Sequence, residues 1–266
     1  MSLTINILIS TIGERIKRVP DVIMPQREGV SYIVSHQTDG SHHISKSLTT
    51  RPDVTLSTIA GRGLCANRNN AIEHATADIC IIADDDCRYD DQFLENIKDA
   101  YSKYPEADII CFTAQDYNSR PLHRYPAEDM PYLQAVARGY YPTSIQTTFR
   151  LQSIEGRIAF NINFGLGSDM LCAGEEEVFM ADALRAGLNI MYVNKPIVRS
   201  DPDTTGTHFL TDKQLQITKG ATFRHCYGYA NAVWRSIREA GWWFVHRGAN
   251  PFPILCRMLK GIRLNY

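Results

Sequence analysis

The sequence contains no C-x-x-C pair, although it holds seven cysteines: Cys65, Cys80, Cys87, Cys111, Cys172, Cys226 and Cys256. An odd number without metal-ligand spacing argues against both a zinc site and a disulfide framework. Several of these thiols fall inside apolar runs, where free cysteine behaves as a small hydrophobe. The start, Met1-Ser2-Leu3-Thr4, has no basic segment followed by an apolar stretch, so no signal peptide is expected. No apolar run approaches the length of about 20 residues that spans a bilayer. Internal repeats and low-complexity tracts are also missing. These absences point to a reducing, cytoplasmic setting and an ordinary globular protein. The composition agrees: 44% hydrophobic and 21% charged over 266 residues, enough for one large domain or one domain with an appendage.

Acid is scarce in one place. From Lys213 to Tyr266 there are nine basic residues and a single acid, Glu239, whereas residues 1–212 carry 19 basic and 28 acidic groups. Such asymmetry signals a partner. Nucleic acid is a poor fit because no recognition motif accompanies the positive charge. The same segment holds Trp234, Trp242, Trp243, Phe244 and Phe252, and aromatics mixed with Arg and Lys suit an interfacial helix. Peripheral contact with an anionic membrane at its inner face, or a lipid-linked anionic substrate, is the expected partner.

The most informative feature present is Asp84-Asp85-Asp86, directly after the apolar run Ile79-Cys80-Ile81-Ile82-Ala83. A run of this kind reads as a buried strand of a mainly parallel sheet, and open α/β sheets bind ligands at the carboxyl ends of such strands. Three adjacent carboxylates repel one another unless a cation or hydrogen-bonding ligand holds them. Alternation along an extended strand would place Asp84 and Asp86 on one face and Asp85 on the other. That pair would suit Mg²⁺ or Mn²⁺, which prefer oxygen ligands.

Apolar periodicity predicts strands over residues 3–10, 30–35, 53–59, 78–83, 108–114 and 188–193, with helices over 64–75, 91–103 and 175–186. Residues 12–22 read as loop or short helix, 36–47 as a polar loop, and 118–139 as loop with a short helix near 132–138. Residues 199–208 are again loop, and the remainder is helical to about residue 243. Alternating strands and helices mean βα units around a parallel sheet.

The segment Gly61-Arg62-Gly63-Leu64-Cys65-Ala66 matches the dinucleotide pattern G-x-G-x-x-A, with an acid about twenty residues on at Asp84. An NAD(P)-dependent oxidoreductase is therefore one alternative, and a non-catalytic nucleotide- or glycan-binding protein is another. Against the first, the motif follows the third strand, and it leaves Gly174-Glu175-Glu176-Glu177 without a role.

The run Gly63-Leu64-Cys65-Ala66-Asn67-Arg68-Asn69-Asn70, then a helix, a strand and Asp84-Asp85-Asp86, resembles family 2 glycosyltransferases. Asn163-Phe164-Gly165-Leu166-Gly167 followed by Gly174-Glu175-Glu176-Glu177 resembles a later block of the same family, and the likeness covers about residues 3–230. It implies a GT-A-type α/β fold, with a catalytic domain over residues 1–218 and a C-terminal helical extension over 219–266. Within the catalytic domain, residues 1–115 would bind the nucleotide and 116–218 the acceptor and base. The implied activity is inverting transfer of a sugar from a nucleotide sugar, with UDP the expected nucleotide, to a saccharide or lipid-linked acceptor in surface polysaccharide synthesis. The implied cofactor is Mn²⁺ or Mg²⁺.

Carried over by position, the resemblance assigns the metal to Asp86 with Asp84, and ribose or sugar hydroxyls to Asp84 or Asp85. Thr11 would lie against the nucleoside and Arg68 near the base. The family's base-binding Asp is replaced by His36-Gln37, which leaves the base open. Glu176 takes the slot of the catalytic base, with Glu175 beside it. Ser200 stands where a branch of the family has a His, and His208, eight residues on, is the candidate late metal ligand. General principles ask for the same groups: a cation to offset the departing diphosphate and a carboxylate to take the acceptor's proton.

Overall fold

The computed structural model describes residues 3–201 and 208–266. In chain order the elements are β1 (Ile5–Ile12), β2 (Val30–Gln37), α1 (Lys46–Thr49), β3 (Val54–Ile59), α2 (Leu64–Glu73), β4 (Ile79–Asp84), α3 (Asp91–Lys103) and β5 (Ile109–Gln115). There follow β6 (Met130–Pro131), α4 (Tyr132–Ala137), β7 (Thr147–Arg150), α5 (Leu151–Ile154), α6 (Glu175–Arg185), β8 (Ile190–Arg199), α7 (Lys213–Arg247) and α8 (Pro251–Ile262). The chain divides into two compact units. The first comprises Met1–Gly61, Asn67–Ala159 and Leu184–Pro202, and the second Arg62–Ala66, Phe160–Ala183 and Asp203–Tyr266.

The first unit is built on an eight-stranded sheet of order β3-β2-β1-β4-β7-β5-β8-β6. β1 pairs in parallel with β2 on one side and β4 on the other, and β5 pairs in parallel with β8. The apolar runs behave as fully buried strands should: Ile79 to Ala83 are all inaccessible, as are Ile5, Ile7 and Ile9. α3 covers the sheet with Phe93, Leu94, Ile97, Ala100 and Tyr101. Its start is fixed by Asp90, whose side chain accepts from Phe93 N at 3.0 Å.

β7 departs from the periodicity reading. It inserts antiparallel between β4 and β5, through Ile81↔Thr148 and Ile110↔Thr148. Four residues, Thr-Thr-Phe-Arg, carry no usable period, so the strand exists because its two neighbours present open ladders. β2 also outruns its predicted end by two residues, and His36 and Gln37 are buried strand residues rather than the start of a polar loop.

In the second unit, α6 begins after Gly174, whose φ of +86° and close approach to the Thr222 hydroxyl both require glycine. α7 is capped by Asp212, which accepts from Gln214 N and Leu215 N, so the boundary expected at residue 218 falls inside a helix. Gly228 (φ 76°, ψ 173°) breaks α7 into two halves. Phe209 stacks on Trp243 at 5.2 Å, so the second half returns towards the start of the first. α8 then packs on the first half, where Gly220 lies against the Met258 carbonyl and Gly261 against that of Ile217. Phe223, Ala232, Ala240, Ile254, Met258 and Ile262 form the buried seam of these helices.

Candidate active site

The strand order reverses direction at β1 and β4, and ligands of open α/β sheets bind outside the carboxyl ends of strands at such a point. Ser10 of β1 is in register with Asp84 of β4, so Thr11 and Asp85 emerge side by side. Thr11 Oγ1 donates to Asp85 Oδ2 at 2.8 Å. Arg15, from the 3₁₀ segment Gly13–Asp21 after β1, clamps the same carboxylate with two donors, Nε to Oδ2 at 2.9 Å and Nη2 to Oδ1. Asp85 is 2% exposed, and its charge is thus met from both sides.

β4 ends at Asp84, and Asp85 and Asp86 lie in the following turn. The expected alternation, with Asp85 facing away from the other two, therefore fails: Arg15 Nη2 reaches Asp85 and also stands 3.8 Å from Asp86 Oδ2. Asp84 turns instead towards Arg68, 3.5 Å away. The contacts of Asp86 are long, with Ser200 Oγ donating at 3.4 Å. Tyr117 OH donates to the Asp86 carbonyl at 2.7 Å and fixes the turn. Burial first, then the neighbouring Asp84 and Asp85 charges, pushes the Asp86 carboxyl above its ordinary range, with Arg15 opposing. Arg15, Tyr117, Ser144 and Ser200 were not singled out as donor-site residues by sequence. The one hint was Ser200, which stands where a branch of the family has a His.

Such a donor set fits a hard divalent cation. Mg²⁺ and Mn²⁺ commonly bind through one or two carboxylates plus substrate phosphates, and Asp86 carries a carboxylate disfavoured by like charge that a cation would relieve. Among the described residues, no three His, Cys, Asp or Glu side chains are grouped to cage a metal by themselves. His208 sits exposed at a turn, its carbonyl accepting from Thr211 N and Asp212 N.

Around the same strand ends, Arg68 is a fully buried side chain whose Nη2 donates to Ser144 Oγ at 2.6 Å. Asn67 Nδ2 donates to the Thr11 carbonyl at 2.9 Å, tying α2 to the end of β1. His36 Nε2 donates to the Gly13 carbonyl at 2.9 Å, and its ring meets His42 edge-on at 5.9 Å. His42 is not a solvated loop residue as its polar setting suggests: it is 18% exposed, with Nδ1 2.9 Å from Thr38 Oγ1.

In the second unit the three glutamates at the start of α6 have separate environments. Glu175 is buried, with its carboxyl carbon packed near Gly165, and Glu176 is half-buried. Glu177 accepts from Lys219 Nζ at 2.8 Å. Burial opposes the charge on Lys219, but Glu177 outweighs it and holds the ammonium pKa above its usual value. The two side chains are 26% and 24% exposed, so removing one partner leaves a half-buried charge. Lys219→Met is expected to lower stability by about 1–2 kcal/mol, and adding Glu177→Gln should recover part of it. Thermal melts of the two single variants and the double variant check this; strictly additive losses would mean the pair is not coupled.

A family model described as glycosyl transferase family 2 matches residues 12–167, more than half of the chain. This chain belongs to that family. It is a nucleotide-sugar glycosyltransferase, which overturns the oxidoreductase alternative. The geometry agrees, because the Gly61–Ala66 motif follows β3, the edge strand, whereas a dinucleotide loop follows the central β1. Solved structures with the same fold include S. aureus TarS 1–349 (TM-score 0.64, 14% identity, covering 98% of this chain and 81% of that one). The complexes of TarS 1–349 with UDP (TM-score 0.61, 14% identity, 94% and 74%) and with UDP-GlcNAc (TM-score 0.58, 14% identity, 94% and 75%) are also similar. A search of curated proteins finds no match. Among the described residues, no helix of this family 2 glycosyltransferase is long and apolar enough to cross a membrane.

Proposed function

We propose that the enzyme transfers a hexose-type sugar from UDP, with inversion, to a saccharide or lipid-linked acceptor of a surface polysaccharide, and that it requires Mn²⁺ or Mg²⁺. The observation that carries the reading is the Asp84–Asp86 turn at the β1/β4 switch point, with Asp85 neutralised by Arg15 and Asp86 left in a like-charge environment. UDP and UDP-GlcNAc in complexes of a protein with this fold support the choice of nucleotide.

Asp86 would hold the metal, which would offset the charge developing on the departing diphosphate. Asp85, locked by Thr11 and Arg15, orients the turn, which leaves the ribose or sugar hydroxyls to Asp84. Arg68 and His36-Gln37 flank the nucleoside end, and Asp84 lies beside Arg68. Glu176 would take the proton from the acceptor hydroxyl as that oxygen attacks. Glu175 supports it, and Glu177 is committed to Lys219. His208 remains a candidate further ligand for the metal.

UDP with Mn²⁺ is expected to raise the melting temperature while NAD(H) and NADP(H) leave it unchanged. Binding to the folded state alone contributes about 2.7 kcal/mol at a hundredfold excess over Kd. A shift with UDP that EDTA does not diminish would remove the metal from the reading, and no shift with any metal–nucleotide pair would remove the nucleotide.

A further inference from the structure

The second unit presents an apolar surface that its own core does not explain. The inward side of the returning half of α7 is Ala232, Ser236 and Ala240, all buried. The opposite side of that half should be polar on a solvated helix. It carries instead Trp234 (59% exposed), Ile237, Trp242 and Val245 (74% exposed), with Phe244 beside them. Past the turn at Gly248, Phe252 at the start of α8 is 75% exposed. The two most exposed large apolar side chains among the described residues, Val245 and Phe252, thus lie where α7 ends and α8 begins. Isolated exposed hydrophobics are ordinary, but several large apolar side chains exposed on one helix half and just past its turn mark an interaction surface.

Charge decides what covers it. Arg238 and Arg247 are exposed on the same half of α7, and Lys260 and Arg263 are exposed along α8 in the stripe that continues Phe252 and Cys256. The segment's single acid, Glu239, accepts from Trp243 Nε1 at 2.9 Å and so braces the buried face. A second copy placed on this surface would set cations against cations. An anionic lipid surface supplies the opposite charge, a polar interface for Trp and Arg, and an apolar layer for Phe and Val.

We propose that the α7–α8 turn is a docking surface for an anionic lipid bilayer, with Trp242, Phe244, Val245 and Phe252 entering the headgroup layer and the four exposed cations contacting lipid phosphates. The proposal concerns the second unit only and is independent of the donor reading. α8 is held on the first half of α7 through Gly220 and Gly261, and the returning half is held by Trp243 stacked on Phe209, so both helices that present the surface are anchored.

The test is co-sedimentation of the full chain with vesicles of phosphatidylglycerol and phosphatidylcholine, against phosphatidylcholine alone. Binding is expected on the anionic vesicles and should decline as salt rises. Phe244→Ser/Val245→Ser/Phe252→Ser should weaken it at least about tenfold. Arg247→Gln/Lys260→Gln should weaken it by roughly twentyfold at low salt, and by less at high salt. Because all five side chains are exposed, neither variant should change the melting temperature or the shift produced by UDP with Mn²⁺. Equal recovery on both vesicle types, or none on either, overturns the proposal. So does a dimer in sedimentation velocity that the serine variant dissociates, since a second copy would then own the surface. Loss of the UDP shift in the unmutated chain would bear on the donor reading alone.

Discussion

Replacing Asp86 by alanine is expected to abolish metal-dependent UDP binding and turnover together, whereas Glu176→Gln should keep the binding and lose the turnover. The two carboxylates serve different species. Asp86 stands in a turn where burial and two neighbouring aspartates oppose its charge, so its value to the enzyme lies in what it binds. Without it, Asp85 cannot substitute, because Arg15 and Thr11 occupy its oxygens, and Asp84 is drawn to Arg68. Glu176 is needed only when a proton leaves the acceptor, and losing a general base typically costs on the order of 10²–10⁴ in rate. Calorimetric titration of UDP with Mn²⁺ and a turnover assay on the same preparations separate the two roles. Normal turnover in Glu176→Gln would pass the role to Glu175, since Glu177 is tied to Lys219. Retained metal-dependent binding in Asp86→Ala would move the metal to Asp84.

The largest loss of stability is expected from Gly261→Ala. A Cβ at this position would land on the Ile217 carbonyl and against Ala221 N, and one at Gly220 would land on the Met258 carbonyl. Both obstacles are backbone, which cannot swing aside, so α7 and α8 must separate along a seam containing Met258 and Ile262. Overpacking of this kind costs about 3 kcal/mol, or roughly 6–12 °C in melting temperature for a chain of this size. Gly241→Ala provides the contrast. It lies in α7 with nothing within 4 Å of the added atom. Removing glycine's freedom in the unfolded chain should stabilise the protein by about 0.5–1 kcal/mol. Thermal melts with opposite signs for the two glycine-to-alanine changes are the expected result. A neutral Gly261→Ala would mean that the two helices do not approach as closely as described.

The strands of the first unit were legible because a buried parallel strand needs a largely apolar run, which Ile79 to Ala83 supply without a break and Ile5 to Ile9 with Asn6 alone as exception. α3 was legible to the residue: Asp90 caps it, and the apolar stripe from Phe93 to Tyr101 repeats with the helical period. The family was legible from the order of Gly63–Asn70, Asp84–Asp86 and Gly174–Glu177, since this order is a property of the chain before it folds. β7 was not, because four residues become a strand only when β4 and β5 offer hydrogen bonds on both sides. Nor was the burial of His36, which follows from its pairing with Thr11 and Ile59's neighbour Thr58 across β2.

At the site, the sequence by itself determined which acids stand at the end of β4 and that their mutual repulsion demands a counter-charge. Only the tertiary structure decided how that repulsion is shared out. Strand alternation stops at Asp84, so the pleat no longer dictates direction for Asp85 and Asp86. The partners that then divide the three carboxylates, Arg15 from after β1, Arg68 from α2 and Ser200 from beyond β8, are distant in sequence and meet only because the sheet brings their strand ends together.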